Sequence, residues 1–155
     1  MIYLKRMLLV FIFATAFISC NDNSVYKKFD KDFTDNRWIK TDVRNYDFTI
    51  DKAGNYDFLV DFSHVYGSPF ASIPIKIAIE YPNNNTDINT VSLLLADEQG
   101  NPLSDCSGDF CDLEQAVFTG KKLEAGHYKI SLTNEFPNDF LPNVLGLGIK
   151  VVPSK

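Results

Sequence analysis

The feature that most constrains the fold is an alternation of apolar and polar residues with a period of two. In "IPIKIAIEY", the residues Ile73, Ile75, Ile77, Ile79 and Tyr81 fall on one face of an extended chain. A β-strand places successive side chains on opposite faces, so this pattern predicts a strand with one buried face. A helix would scatter the same residues around its axis, because its side chains repeat with a longer period.

The same alternation recurs along the chain. "YDFTID" and "YDFLVDFSH" are joined by the turn "KAGN", which predicts a β-hairpin. "TVSLLLADE", "AVFTGKKLEAG", "HYKISLTN" and "VLGLGIKVV" follow, and we expect "PNNNTDIN" and "PLSDCSGDFCDLEQ" to be loops. We count about eight short strands and no amphipathic helix. An all-β fold is therefore predicted, as a single antiparallel β-sandwich of the jelly-roll or immunoglobulin-like kind.

The N-terminal residues 1–19 have the features of a secretory signal peptide. Lys5 and Arg6 precede an uncharged apolar run from Met7 to Ile18. This run is too short to cross a bilayer as a helix, which takes about 20 apolar residues. A positive start followed by a short apolar segment is typical of a signal for export.

Cys20 follows that apolar run directly and is itself followed by polar residues. Ser19 precedes it, as in a lipobox, the bacterial signal for lipid attachment to a cysteine, although Phe17 stands where leucine is usual. We predict that Cys20 carries the lipid and becomes the first residue of the mature protein. Residues 20–35 then form a lipidated tether in which order begins soon after its start, and residues 36–155 form the β-sandwich.

Cys106 and Cys111 flank "SGDF" and remain as an even pair once Cys20 is lipidated. Exported proteins fold in an oxidising compartment, where paired cysteines form disulfides. We therefore favour a disulfide over free thiols or a metal site. Closing so small a loop adds about 2 kcal/mol of stability at most.

Sites for catalysis, metals or cofactors are not indicated by sequence motifs. The two histidines, His64 and His127, stand outside any HExxH pattern, and no nucleophile-elbow motif occurs. Asp105, Asp109 and their acidic neighbours offer calcium ligands, but their spacing differs from an EF-hand, and a solvated loop is favoured. We predict a non-enzymatic protein without a cofactor, metal or small-molecule substrate. A net charge of −5 without a basic patch argues against nucleic acid.

Aromatic residues in loops offer a contact surface. "HVYGSPFASIP" links two strong strands, and we predict that its residues His64, Tyr66, Pro69 and Phe70 contact a partner. Three further possibilities stay open. The aromatics could cap the ends of the sandwich. The chain could also be a small hydrolase, in which a histidine is joined to a carboxylate and a hydroxyl. A surface carbohydrate-binding or adhesin-type lipoprotein would instead expose a platform drawn from Trp38, Tyr66, Phe70 or Phe140.

The order of these features resembles the GldH-type gliding-motility lipoproteins. The resemblance begins at Cys20 and continues through "VYKKF", Trp38, "NYDFLVDFSHVYGSPF", "NTVSLLLADEQGN", "GHYKISL" and "VLGLGIKV". Ser63 and Ser68 stand where the family tends to have arginine and tyrosine, and with the inserted cysteine pair they mark a divergent member. The resemblance implies a membrane-anchored accessory lipoprotein of the gliding apparatus, working with other gliding and secretion proteins of the envelope. The "NDN" after Cys20 favours the outer membrane as the place of the anchor.

We predict that Cys20→Ser abolishes acylation, because serine lacks the thiol that accepts the lipid. Metabolic labelling with a palmitate analogue, followed by gel fluorography of the purified protein, measures this directly. Cys106→Ser serves as the control and should keep full labelling. Persistent labelling of the Cys20 variant would refute the assignment.

Overall fold

The structure is a computed structural model that describes residues 23–155. Within this range the chain forms eleven β-strands and one 3₁₀-helix, Thr34–Asn36, which lies between the first two strands. No helix in residues 23–155 is long and apolar enough to span a membrane. The strands are β1 (Tyr26–Asp30), β2 (Arg37–Ile39), β3 (Arg44–Ile50), β4 (Gly54–Val65), β5 (Ser72–Glu80), β6 (Thr86–Leu94), β7 (Asp105–Ser107), β8 (Phe110–Leu123), β9 (Gly126–Asn134), β10 (Phe140–Pro142) and β11 (Val144–Pro153).

Three antiparallel sheets are built from these strands. The five-stranded sheet has the order β1-β11-β4-β8-β7, the four-stranded sheet has the order β3-β9-β5-β6, and β10 pairs with β2. The two larger sheets pack face to face. Tyr46 of β3 donates its hydroxyl to the carbonyl of Leu147 in β11 at 3.2 Å. Phe48 of β3 meets Phe58 of β4 edge to face, with ring centroids 6.4 Å apart.

The prediction of an all-β antiparallel fold is confirmed, but the predicted single sandwich of about eight strands is wrong. The described residues form eleven strands in three sheets. Three strands, β2, β7 and β10, have three residues each, so they are too short to show an alternating pattern. β6 begins at Thr86, inside the segment that we expected to be a loop. Its first residues are polar and exposed because β6 lies at the edge of its sheet.

The folded domain begins earlier than residue 36. Tyr26–Asp30, which the sequence boundary placed in the tether, forms β1 at the edge of the five-stranded sheet. β1 pairs with β11 from Tyr26↔Val151 to Asp30↔Leu147. The ring of Tyr26 also stacks on Phe48 of the opposite sheet at 5.2 Å. The first strand is therefore an integral part of the domain and not a linker, while Cys20 lies outside the described residues.

One apolar core fills the space between the two large sheets. The four isoleucines of β5, Ile73 to Ile79, are at most 1% exposed, so the alternation seen in the sequence is confirmed. Tyr46 and Tyr128 are equally buried and bond backbone carbonyls through their hydroxyls. Other large core residues come from both sheets: Phe58, Phe62, Ile50, Leu93 and Leu123. Buried apolar area of this kind is the main source of folding free energy.

A buried asparagine ties the two-stranded sheet to this core. Asn134, which is 0% exposed, donates its side-chain amide to the carbonyl of Trp38 at 2.8 Å. Its side-chain oxygen accepts from the backbone N–H of Phe136 at 2.8 Å. The indole of Trp38, also fully buried, donates to the carbonyl of Asp42 at 2.8 Å. Each buried polar group thus has a partner, which removes the cost of burying it.

Two glycines in β11 make room for an aromatic ring from β1. A Cβ on Gly146 would lie 2.2 Å from the ring of Phe29. A Cβ on Gly148 would lie 2.4 Å from the carbonyl of Lys28 and 2.7 Å from the same ring. Phe29 therefore lies flat on the backbone of β11, a close approach that glycine permits. This ring replaces the side chains that the glycines lack.

Side chains of β8 cover part of the open edge of β6. Gln115 accepts from the N–H of Leu94 at 2.8 Å and donates to the carbonyl of Ser92 at 2.9 Å. Near the other end of β6, Lys121 pairs with Asp87 at 2.7 Å. Exposed strand edges recruit other strands, and natural proteins block them with such contacts. The two bridges therefore shorten the stretch of β6 that another strand could reach.

We expect Gly148→Ala to lower the free energy of unfolding by about 1–3 kcal/mol, because its methyl group would overlap backbone and ring atoms. Gly54→Ala is the matched control, since its Cβ would meet only the ring of Tyr56 at 3.5 Å, an ordinary contact. The control should change stability by about 0.5 kcal/mol or less. Urea unfolding midpoints of both variants measure the difference. Equal midpoints would show that the glycine does not serve the packing of Phe29.

Candidate functional site

The domain has two ends, which we distinguish by where the first strand, β1, begins. β1 begins at Tyr26 beside Val151, and this end also holds the turns at 51–53, 82–85 and 124–125. We call it the proximal end. The opposite end holds the loops 66–71 and 95–104 and the hairpin of β7 and β8, which together we call the distal loop cluster. β4, with twelve residues, connects the two ends and spans roughly 35–40 Å.

Backbone hydrogen bonds join the three parts of the distal loop cluster. The N–H of Tyr66 donates to the carbonyl of Asp109 at 2.9 Å, which links the first loop to the hairpin. The N–H groups of Leu95 and Ala96 both donate to the carbonyl of Ala71, at 2.8 and 3.1 Å. Since each loop is bonded to another, the cluster is a pre-organised surface.

A carboxylate turn shapes the loop 95–104. Asp97 accepts from the N–H groups of Gln99 at 2.9 Å and of Asn101 at 2.8 Å. The side-chain amide of Asn101 donates to the other oxygen at 2.9 Å, and these bonds hold the pKa of Asp97 below its usual range. Gly100 has a φ of +82°, which glycine adopts without strain. The "ADEQGN" segment is therefore a tight turn in which the carboxylate of Asp97 stays ionised at neutral pH.

The predicted contact residues lie close together, but they have different roles. His64, Tyr66, Phe70, Cys106 and Cys111 all line one shallow cavity of about 200 Å³. Tyr66 is 62% exposed and Pro69 is also exposed, so both can reach a partner. Phe70 is only half-buried, but its ring packs against Phe136 with centroids 4.7 Å apart. This loop therefore presents Tyr66 and Pro69 and uses Phe70 to close the core.

His64 is not part of the contact loop, contrary to the prediction. It lies in β4, is 5% exposed and stacks on Phe62. Its Nδ1 is 2.9 Å from the carbonyl of Val65, and its Nε2 is 3.0 Å from the hydroxyl of Ser104. In the neutral imidazole Nδ1 donates to the carbonyl, so Nε2 accepts from Ser104. His64 thus fastens the loop 95–104 to the strand.

The cysteine pair closes the hairpin of β7 and β8. Cys106 and Cys111 face each other in the register and are joined by a disulfide. Cys111, 1% exposed, also pairs with His64 across β4 and β8. The disulfide is therefore packed against the strand that carries the histidine, and it holds the hairpin side of the cluster in place.

Neither an aromatic sugar-binding platform nor a hydrolase triad is assembled among the described residues. Trp38 is fully buried and Arg37 covers the ring of Phe140 at 4.7 Å, so the platform considered from the sequence is not formed. His127 lies 3.6 Å from Asp47 on the exposed surface. His64 contacts the hydroxyl of Ser104, but its other ring nitrogen contacts a backbone carbonyl, whereas a catalytic triad has a carboxylate there. In residues 23–155 no group of three or more acidic, histidine or cysteine residues is placed to hold a metal ion.

Sequence reasoning missed Ser104 and the loop bonds that order the cluster, since no motif marks them. The burial of His64 did have a signal. It continues the inward alternation of Phe58, Val60 and Phe62, so the same rule that placed those residues in the core also placed the histidine there.

A comparison with known protein families gives a match over most of the chain. The model for GldH lipoproteins covers residues 24–151. The chain belongs to the GldH lipoprotein family. Membership in this family makes it a membrane-anchored lipoprotein of the cell envelope, from a family that is not known as enzymatic. The family name also links it to gliding motility. The resemblance inferred from the order of motifs is thereby confirmed.

Other comparisons add little to this assignment. No curated protein matches the chain. A solved structure with some likeness is that of TmCBM61 in complex with β-1,4-galactotriose, at 11% identity and a TM-score of 0.34. The match covers 83% of this chain and 82% of that chain. At so low a TM-score the likeness carries no argument about fold or ligand.

We expect His64→Ala to lower the free energy of unfolding by about 2–3 kcal/mol, through lost packing on Phe62 and a lost bond to Ser104. His127→Ala should change it by about 0.5 kcal/mol or less, because that side chain is 66% exposed. Thermal and urea unfolding of both variants test this. If both variants unfold like the wild type, the buried imidazole does not fasten the distal loops.

Proposed function

We propose that this protein is a non-enzymatic accessory lipoprotein of the gliding-motility apparatus. It is anchored in the outer membrane through Cys20 and uses the distal loop cluster to contact other gliding and secretion proteins of the envelope. The observation that carries the proposal is the position of this cluster, which lies at the end of the domain opposite to the entry of the chain. The family assignment supports the same role.

The short tether between Cys20 and β1 limits how far the proximal end can lie from the membrane. Cys20 stands six residues before Tyr26, the start of β1. A fully extended chain of that length reaches about 20 Å. A lipid on Cys20 would therefore hold the proximal end near the membrane and direct the distal loop cluster away from it. Bacterial lipidation adds several acyl chains, and two or more give stable anchoring.

The surface of the distal loop cluster has properties of a protein-contact site. Tyr66, at 62% exposure, offers a rigid aromatic ring with a polar hydroxyl. Such rings are enriched at the centres of protein interfaces. Phe110 at 49% and Leu103 at 49% exposure add apolar area on the neighbouring hairpin and loop. Because the loops are already bonded to one another, binding would cost little ordering entropy.

Motility of a gliding host tests this role. We expect deletion of the gene to abolish colony spreading and single-cell gliding, and expression of the wild-type chain to restore both. The double variant Tyr66→Ala with Pro69→Ala should fail to restore gliding while keeping normal abundance and lipidation. In a host that does not glide, secretion of proteins across the outer membrane is measured in its place.

Ile88→Ala on β6 is the matched control, because Ile88 is 65% exposed, close to the value for Tyr66, and lies on the four-stranded sheet. This variant should glide normally. If the deletion strain glides, the motility role is wrong. If the deletion strain does not glide but the double variant does, the role stands and the distal contact surface is wrong.

A further inference from the structure

A groove crosses the outer face of the five-stranded sheet, away from the core. It has a volume of about 590 Å³ and is lined by residues of β1, β4, β8 and β11. Ligand pockets for small molecules fall in the range of about 300–1,000 Å³. The groove is separate from the cavity of the distal loop cluster, since the two share none of their lining residues.

Aromatic and aliphatic side chains form the apolar part of the groove. Phe29 lies with one ring face on the glycines of β11, which leaves the other face toward the groove. Phe110, 49% exposed, stands at the distal edge, and Leu145 of β11 also lines the groove. Phe29 is held in position by the backbone beneath it, so the groove has a rigid apolar surface.

Charged side chains of both signs form the polar part. Asp61, Asp112 and Glu114 line one side, and Lys27 and Lys31 line the side formed by β1 and the chain after it. Glu114 also pairs with Lys150 at 3.1 Å. Lys150 lies outside the lining and offsets the charge of Glu114, and the other two carboxyl groups are equal in number to Lys27 and Lys31.

Local contacts fix the carboxyl groups in place. Asp61 and Glu114 face each other across β4 and β8, and the hydroxyl of Ser63 donates to Asp112. Burial raises the pKa of Asp61, and the charge of Glu114 acts in the same direction. These contacts orient the carboxyl groups as hydrogen-bond acceptors beside the lysine donors.

We propose that this groove binds a neutral saccharide chain, a ligand that goes beyond the proposed motility role. The groove shares none of its residues with the aromatic platform considered from the sequence. A sugar ring has an apolar C–H face, which would pack on Phe29 and Phe110. Its hydroxyl groups both donate and accept hydrogen bonds, so they match a groove with carboxylates on one side and ammonium groups on the other. With Lys150 counted, the charges at the groove balance, which favours a ligand without net charge over an anionic or a basic chain.

Calorimetric titration tests this ligand. The lipidated full chain, purified in detergent, is titrated with cellotriose, maltotriose and mannotriose, and with trigalacturonate as a charged comparison. We expect at least one neutral trisaccharide to bind with a Kd of about 1 mM or tighter. Trigalacturonate should bind more weakly than that sugar. Phe110→Ala and Asp61→Asn should each weaken binding about tenfold.

His127→Ala is the matched control, because it removes an exposed ring outside the groove and should leave the affinity unchanged. Circular dichroism melting shows that each variant is folded. The proposal is overturned if none of the neutral sugars binds at about 10 mM, tenfold above the expected Kd. It is equally overturned if trigalacturonate binds more tightly, or if both groove variants bind like the wild type. None of these outcomes alters the motility test, which uses other residues.

Discussion

The packing of Phe29 on the glycines of β11 is the contact on which the remaining architecture depends. It is formed because Gly146 and Gly148 have no Cβ, so the ring can lie on the backbone. This contact docks β1 beside β11 and brings Tyr26 over the core against Phe48. It also places the start of the domain at the proximal end and forms part of the outer groove. One close approach therefore connects the first strand, the core and a candidate binding surface.

The distal end is stabilised in a different way from the middle of the domain. Between the sheets, burial of apolar side chains supplies most of the stabilising free energy. The loops instead carry backbone polar groups that need hydrogen-bond partners. Two buried polar residues meet part of this need. Asn134 donates to the carbonyl of Trp38 and accepts from the N–H of Phe136, while His64 bonds the carbonyl of Val65 and the hydroxyl of Ser104 in the loop 95–104. The disulfide adds a covalent link in the neighbouring hairpin. The result is an ordered end with exposed side chains, which suits recognition at low entropic cost.

Features that depend on neighbouring residues were predicted correctly from the sequence, and features that depend on distant residues were not. The isoleucines of β5 were placed correctly because alternation is a property of neighbouring residues. β1 was assigned to the tether and the start of β6 to a loop, since both lie at sheet edges where fewer side chains are buried. The strands β2 and β10 depend on pairing between residues about 100 positions apart, such as Leu141 and Trp38, so no local pattern reveals them.

From the sequence alone one can derive the all-β class, the inward faces of β3, β4, β5 and β9, the cysteine pair and, from the order of its motifs, the family. These follow from side-chain alternation and from residues adjacent in the chain. The pairing of β1 with β11, the burial of His64 beside Ser104, the separation of a proximal from a distal end and the outer groove required the folded structure. Each of them arises from hydrogen bonds and contacts between distant segments, whose partners are chosen by packing and not by local sequence.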